Sequence, residues 1–216
     1  MAYRKGIETK QTIIKESKKL FYIYGYKMVN ISEICRNSNC KLGTFTYYFP
    51  KKEDLVTEIY EMYLSNCYSY IESHLSSPSK LITHIYAICF YYHNLFQNEN
   101  CRQFQREILS LKSMNEVFAN PTSQIKDFIS ESKIEIDSKE FDLISICDHA
   151  SRRELTLLFL QEGNFKSESI QELVTKIYTN LSLLSGYDKD YIIALIDQAF
   201  SFIRQYPNES ICLLSR

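Results

Sequence analysis

Glycine and proline are scarce in this chain, and tryptophan is absent. Its 216 residues include five glycines and four prolines, which is too few for a β-sandwich with many tight turns and fits long helices with few breaks. No apolar run approaches the ~18 residues of a membrane span, and the opening MAYRKGIETK contains no apolar core of a secretory signal. We therefore expect a helical protein that stays in the cytoplasm and does not enter a membrane.

Paired cysteines and metal-binding spacings are missing as well. The seven cysteines are odd in number and include no C-x-x-C pair, so we expect reduced thiols that pack as small apolar side chains. Cys147, Asp148 and His149 are adjacent in sequence, but neighbouring positions of a helix point in different directions. We therefore predict no metal site there.

Signatures of the common enzyme classes are also absent. The sequence has no phosphate-binding glycine loop, no H-E-x-x-H pattern, no nucleophile elbow and no dinucleotide fingerprint. We predict that the protein is not an enzyme and needs no cofactor. An unrecognised helical enzyme is the alternative that this leaves open.

The charges are divided between the two ends of the chain. Residues 1–55 hold 11 Lys and Arg against 5 Asp and Glu, a net charge of +6, whereas residues 56–216 hold 14 against 21, a net charge of −7. A basic segment on an acidic body predicts that only the segment meets a polyanion, because the body would be repelled by it. A chance asymmetry of the surface is the alternative.

Helix signals fill the basic segment. Apolar residues recur on one helical face up to Tyr24, and Gly25 stands where helices are commonly capped, so we predict a first helix over about residues 9–24. Asn30 and Glu33 have the spacing of a capping box, which predicts the start of a second, short helix.

A turn separates this second helix from a third. Asn39 suits a tight turn that needs a left-handed residue, a very short helix follows over Leu42–Tyr47, and Pro50 separates it from a long helix over about residues 52–74. Two short helices joined by a turn of three to four residues make a helix-turn-helix. In that motif the second helix of the pair enters the DNA major groove.

The stretch GTFTYYFPKKEDL, which contains the third helix, has more aromatic rings than the core of so short a helix needs. We expect Phe45 and Phe49 to turn inward, and Tyr47 and Tyr48 to face the duplex with hydroxyls that reach phosphate oxygens. Lys52 opens the long helix, where the free backbone amides and the helix dipole also favour an anion.

The segment from Ile13 to Leu55 resembles the DNA-binding domain of the tetracycline-repressor (TetR) family of bacterial regulators. The positions that carry the resemblance are Ile13-Ile14, Leu20-Phe21, Tyr24-Gly25-Tyr26, Ile31, Glu33-Ile34, Gly43-Thr44-Phe45, Tyr47-Tyr48-Phe49 and Lys52-Glu53-Asp54-Leu55. The contact residues that the resemblance implies are Lys41, Gly43, Thr44, Thr46, Tyr47, Tyr48 and Lys52. Relatives usually have a tyrosine where Thr46 stands and a small capping hydroxyl where Lys41 stands, so we expect Lys41 to supply a contact of its own.

The remainder of the chain predicts helices and no strand. The segment SKLITHIYAICFYYHNLFQ is apolar on nearly all sides, which predicts a central buried helix. Further helices are predicted over about residues 101–118, 122–135, 137–161, 169–185 and 189–206. We therefore expect an all-α fold of nine to ten helices, with a helix-turn-helix domain over residues 1–55 joined by the long helix to a helical domain over residues 56–216. The resemblance implies that this second domain binds a ligand and dimerises.

Rings with polar tips crowd one region of the second domain and could accept a small apolar or aromatic compound. The residues that we predict to line such an effector site are Tyr86, Phe90, His93, Phe96 and Phe104. A plain core and surface of a tyrosine-rich protein is the alternative.

The function that these features predict is transcription regulation by a homodimer. We expect a repressor that a small-molecule effector releases from a palindromic operator in double-stranded DNA, because two-fold related heads read two half-sites. An effector-independent DNA-binding or architectural factor of the same fold is the alternative. Apolar stripes of the final helices are expected at the dimer interface, namely Leu155, Leu158, Phe159, Ile192, Leu195 and Ile196.

Overall fold

The structure, a computed structural model, describes residues 2–76, 79–111, 113, 137–161 and 169–215, with the side chains described from Gly6 onward. Nine helices and no strand form the regular structure of these residues, so the all-α fold is confirmed. The helices are α1 (Ala2–Met28), α2 (Ile31–Asn37), α3 (Leu42–Tyr48), α4 (Lys52–His74), α5 (Lys80–Phe96), α6 (Glu99–Leu109), α7 (Ser138–Leu160), α8 (Ile170–Ser185) and α9 (Lys189–Gln205). The helix predicted over residues 122–135 lies outside the described residues.

Helices α1 to α3 form the head of the molecule. The Asn30 side chain accepts a hydrogen bond from the Glu33 amide at 2.9 Å, and the Glu33 carboxylate accepts one from the Asn30 amide at 3.0 Å, so the capping box is confirmed. Asn39 has the predicted left-handed backbone, with φ 50°. These two local signals fix the start of α2 and the turn that follows it.

The first helix differs from its prediction at both ends. It begins at Ala2 rather than near residue 9, and it is broken by non-helical torsion angles at Gly25 (φ 75°, ψ 172°) before a last turn that ends at Met28. Tyr24, which we expected on the buried face, is exposed, and Tyr26 is buried instead. The break at Gly25 turns the chain, so the helical spacing no longer identifies the inward side.

Helix α6 connects the head to the rest of the molecule. Phe104 of α6 lies between two rings of α1, with its centroid 5.2 Å from that of Phe21 and 6.3 Å from that of Tyr26. The Glu107 carboxylate accepts a hydrogen bond of 2.9 Å from the Lys27 amide, in the last turn of α1. The head is therefore fixed by α6 as well as by the long helix α4, and the domain division at residue 55 stays a prediction.

Helix α5 occupies the centre of the body, as its apolar sequence predicts. It packs against α4, α6, α8 and α9, and most of its side chains are buried. The segment after α9 returns to this centre, where the Asn94 side chain donates hydrogen bonds of 2.9 Å to the carbonyl oxygens of Asn208 and Ile211. Lys18 of the head donates one of 3.2 Å to the Cys212 carbonyl, so the terminal segment also touches α1.

The apolar stripe that we predicted on α9 is not available to a partner. Ile192, Leu195 and Ile196 are buried within their own chain, because α9 packs with this face on α5 and α8. Leu155 and Phe159 of α7 are partly buried against the core. Among the described helices, none is long and apolar enough to cross a membrane.

The break in α1 generates a first prediction, in which Gly25→Ala destabilises the protein. The backbone at Gly25 lies in a region that only glycine adopts readily, and an added Cβ would lie 2.8 Å from Oε1 of Glu107. We expect a loss of about 1–3 kcal/mol in the free energy of unfolding, measured by urea denaturation. Gly43→Ala is the control, because no atom lies within 4 Å of the added Cβ and alanine favours a helix. Equal effects of the two changes would contradict the role given to Gly25.

Candidate DNA-binding surface and interior polar cluster

Helix α3 is held on the head by its two phenylalanines. Phe45 and Phe49 are both buried, as predicted, and their ring centroids are 5.8 Å apart. The turn before the helix is fixed by backbone hydrogen bonds, including that from the Cys40 amide to the Cys35 carbonyl at 3.0 Å. The opposite face of α3 is therefore left on the surface in a defined orientation.

Most of the predicted DNA contacts share this outer face. Tyr47 is 79% exposed, and Lys41 is exposed at the N-cap of α3 with no side-chain capping bond. Gly43 is exposed with open space around it, and Thr44 is half-buried. Thr46 is exposed, and its hydroxyl donates back to the Leu42 carbonyl at 3.2 Å. A groove-facing helix needs such a surface, and the roles of these residues in DNA binding stay predictions.

Tyr48 differs from its neighbour. Its hydroxyl donates a hydrogen bond of 3.0 Å to the Gly6 carbonyl, so it joins the end of α3 to the start of α1. Its ring meets that of Tyr47 edge to face, with centroids 5.0 Å apart. Tyr48 therefore supports the exposed ring beside it, and its predicted phosphate contact is not tested.

Lys52 makes internal contacts that we did not foresee from the sequence. Its ammonium donates to the carbonyl oxygens of Tyr26 at 2.9 Å and Val29 at 2.8 Å, and it lies 3.7 Å from the centroid of the Tyr26 ring. Burial lowers the pKa of this lysine. Two of its three donors thus tie α4 to the end of α1, whereas the adjacent Lys51 is exposed. Lys51 is therefore a further candidate for a phosphate contact. Its position directly before Lys52 was the available sequence signal.

The five residues predicted to bind an effector make their ring contacts in different directions. Tyr86, Phe90 and His93 share a face of α5, where the rings of Tyr86 and His93 meet α9 and that of Phe90 meets α4. Phe96 points to α7, with its centroid 5.3 Å from that of Phe159. Phe104 belongs to the joint between head and body. Their effector-binding role stays a prediction. Proximity in sequence could not show that α5 and α6 present these side chains in different directions.

A buried ion pair lies deeper in the body. Arg152 and Asp148 are one turn apart on α7, and the guanidinium donates to both carboxylate oxygens, with Nη2 at 3.0 Å from each and Nε at 3.2 Å from Oδ2. Burial lowers the pKa of Arg152, but the Asp148 carboxylate outweighs this effect and the net pKa is raised. Asp148 is fully buried, while one fifth of the Arg152 side chain stays open.

A chain of hydrogen bonds continues from this ion pair. The Arg152 guanidinium lies 5.3 Å from the centroid of the Tyr178 ring, and the Tyr178 hydroxyl is 2.7 Å from Nε2 of His84. Nδ1 of the same histidine is 2.5 Å from the Tyr68 hydroxyl. Burial raises the pKa of Tyr178, which keeps its hydroxyl protonated.

Thr156 is a further buried polar residue and lies one turn beyond Arg152 on α7. It is 2% exposed, and its Oγ1 has no hydrogen-bond partner, which is costly for a buried hydroxyl. We use the name interior polar cluster for the following six residues: Tyr68, His84, Asp148, Arg152, Thr156 and Tyr178. The four-residue spacing of Asp148, Arg152 and Thr156 was the available sequence signal, whereas the partners on α4, α5 and α8 needed the fold. No group of His, Cys, Asp and Glu within the described part of the chain could hold a metal ion.

A helix-turn-helix whose second helix is exposed is the arrangement that DNA-binding proteins use to enter the major groove. Residues 13–59 match the family described as bacterial regulatory proteins, tetR family. The predicted resemblance to this family is therefore confirmed over that segment, and a family of regulatory proteins agrees with the prediction that the chain is not an enzyme. A search of curated proteins gave no match.

Two solved structures have a similar fold. RolR (NCGL1110) in complex with the ligand resorcinol has a TM-score of 0.62 at 15% identity, with 91% of this chain and 96% of that chain covered. The tetR regulator tylp from Streptomyces fradiae has a TM-score of 0.53 at 15% identity, with 97% and 96% covered. At this identity the likeness shows a shared all-helical fold.

Proposed function

We propose that the protein is a homodimeric repressor that a small-molecule effector releases from a palindromic operator. Two observations together support this proposal. Helix α3 exposes one face and has lysines on either side, and the body contains buried polar atoms without hydrogen-bond partners. A repressor of this kind occupies its operator when free. It leaves when a ligand favours a body conformation in which the two heads no longer fit successive half-sites.

The DNA-binding step rests on the outer face of α3. Lys41 brings a positive charge that has no capping bond to the head, and Tyr47 offers a hydroxyl at the end of a largely exposed ring. Such groups suit phosphate oxygens, whereas Thr44, with a short hydroxyl and a methyl group, suits base edges. Lys52 serves mainly to orient α3 through its bonds to the end of α1.

The effector step rests on the interior polar cluster. Arg152 retains open surface and Thr156 retains an unpaired hydroxyl, so a ligand that carries a hydroxyl or carbonyl oxygen would satisfy both. Because Arg152 is already neutralised by Asp148, an uncharged ligand needs less compensation than an anion. Resorcinol, the ligand of the similar RolR structure, is a small uncharged compound with two hydroxyls and is the first compound to test.

Helix α6 offers a route from this cluster to the head. Arg153, next to Arg152, donates a hydrogen bond of 2.7 Å to the Leu109 carbonyl at the end of α6, and Arg106 donates one of 3.0 Å to the Leu160 carbonyl. The same helix places Glu107 against the last turn of α1. A ligand that moves α7 would therefore move α6 and the head together.

An effector-independent DNA-binding factor is the second candidate. A buried ion pair with hydrogen-bonded neighbours can be purely structural, and the chain from Tyr178 through His84 to Tyr68 is compatible with that role. The unpaired Thr156 hydroxyl favours the effector model, because a structural cluster gains nothing from it.

The proposed dimer face differs from the one that the sequence indicated. Leu143 and Ile146 of α7 and Leu183 and Leu184 of α8 are exposed. Helices α7 and α8 are consecutive in the described chain and pack together, so we infer an antiparallel pair, which brings the end of α8 beside the start of α7. We assign this patch to the two-fold interface, since permanent dimers bury about 2,000 Å² or more, rich in apolar side chains.

For DNA binding, we expect Lys41→Ala to weaken the affinity for all sequences and to flatten the salt dependence by about one unit of log slope per head. The measurement is fluorescence anisotropy with a random-sequence duplex at several salt concentrations. Lys139→Ala, which removes an exposed lysine at the start of α7, is the control and should change neither quantity. The same slope in the wild type, Lys41→Ala and Lys139→Ala would show that Lys41 does not contact DNA.

For effector binding, we expect millimolar resorcinol to raise the melting temperature and weaken DNA binding. Thr156→Val should weaken resorcinol binding by about 0.5–1.5 kcal/mol, the value of one hydrogen bond, while leaving the free protein as stable or more stable. Thr175→Val is the matched control, because that hydroxyl is satisfied by the Gln171 carbonyl at 2.8 Å. If resorcinol changes neither the melting temperature nor the DNA binding of the wild type, a phenol-type effector is contradicted.

For assembly, we expect a dimer at micromolar concentration and a monomer after Leu183→Glu. A charge buried in an apolar interface costs several kcal/mol, and Leu183 is 73% exposed in the single chain. Ile23→Glu is the control, because Ile23 is 60% exposed on α1 in the head. Sedimentation velocity distinguishes the outcomes, and a Leu183→Glu protein that remains dimeric would place the interface elsewhere.

A further inference from the structure

Two cysteines lie at the turn between α2 and α3, beside the surface that we assign to DNA. Cys35 is in the last turns of α2, and Cys40 directly precedes Lys41. The Cys40 amide donates to the Cys35 carbonyl with an N–O distance of 3.0 Å. Backbone bond lengths then limit the distance between the two Cα atoms to about 7 Å at most, near the upper end of the range that a disulfide spans.

The two thiols also influence each other electrostatically. Burial raises the pKa of the Cys35 thiol to about 11, and a hydrogen bond with the Cys40 thiol adds to the rise. The Ser38 hydroxyl lies 3.2 Å from Sγ of Cys40 and holds this sulfur on the inner side of the turn. Cys35 is buried, whereas Cys40 is partly exposed. Cys40 is thus the more accessible of the two residues, and Cys35 lies on its buried side.

We propose that Cys35 and Cys40 form an oxidation site, at which hydrogen peroxide converts the two thiols into an intramolecular disulfide. The Cys40 sulfur attacks the O–O bond, which breaks to release one water and leaves a sulfenic acid on Cys40. The Cys35 sulfur then attacks the Cys40 sulfur, so the S–S bond forms and a second water leaves. The two thiols lose two electrons and their protons, and one peroxide is reduced to two waters.

The disulfide would act on the DNA surface, a consequence that rests on the proposed function. An S–S bond of about 2.05 Å is much shorter than a contact between two thiols, so its formation draws Cys40 toward α2. Lys41 follows in sequence and opens α3, which means that the first turn of α3 shifts relative to its anchors Phe45 and Phe49. Oxidation should therefore weaken DNA binding.

The experiment treats the full-length protein with hydrogen peroxide under native conditions, followed by digestion with trypsin without a reductant. Trypsin cleaves after Arg36, between the two cysteines, so peptides 28–36 and 37–41 stay joined only by the disulfide. We expect the joined peptide in the wild type and in Cys147→Ser, which removes an exposed thiol on α7. Cys35→Ser and Cys40→Ser should both abolish it.

Two outcomes would overturn the site. One is oxidation of Cys40 to a sulfinic acid without the joined peptide, while circular dichroism shows an intact fold. The other is a joined peptide that forms only when urea has unfolded the protein. Both would mean that the native turn does not let the sulfurs meet.

The effect on DNA is measured with a random-sequence duplex at low salt. We expect oxidised wild type to bind about tenfold more weakly, the loss of one ordinary contact, with recovery after dithiothreitol and no loss in Cys35→Ser. Linked protein that binds as tightly as reduced protein would overturn the regulatory consequence. Failure of the reduced protein to bind any DNA would instead contradict the proposed function and leave the disulfide site standing.

Discussion

The end of α1 is the constraint on which the position of the whole head depends. A glycine with φ 75° breaks the helix there, and the carbonyl oxygens of Tyr26 and Val29, which follow the break, accept hydrogen bonds from the Lys52 ammonium. On the other side, the amide of Lys27 donates to the Glu107 carboxylate of α6. One helix end thus holds α4 and α6 at once, so neither helix can move without a change in the contacts that orient α3.

The interior polar cluster contains two charged side chains, Arg152 and Asp148, in a part of the body where most neighbouring side chains are apolar. Removing two charged groups from water costs several kcal/mol per ion, which the bidentate contact between Arg152 and Asp148 offsets only in part. Apolar residues of similar volume would serve a purely structural purpose at least as well. The retained charge, together with the unpaired hydroxyl of Thr156, is more easily understood in a body that receives a polar ligand.

Local sequence signals predicted the structure correctly where the interacting residues are close together in sequence. The capping box at Asn30, the left-handed Asn39 and the inward Phe45 and Phe49 all follow from short-range rules and are present. The internal role of Lys52 did not follow, because its acceptors are more than twenty residues away in sequence. For the same reason, the sequence could not show that α5 and α6 present the five predicted effector-binding residues in different directions, and their role in effector binding stays a prediction.

The sequence by itself determined the all-α class, the helix-turn-helix and the resemblance of residues 13–59 to the tetR family, because periodicity, caps and a dense local motif are properties of short segments. It also determined that the head is basic and the body acidic. Only the tertiary structure decided which apolar stripe is core and which is surface: Ile192 and Ile196 are buried, whereas Leu183 is exposed. It also decided that α7 places its ion pair against Tyr178 of α8, while His84 of α5 bonds the same tyrosine. Both depend on how helices far apart in sequence pack together, and a single helix carries no information about its partner.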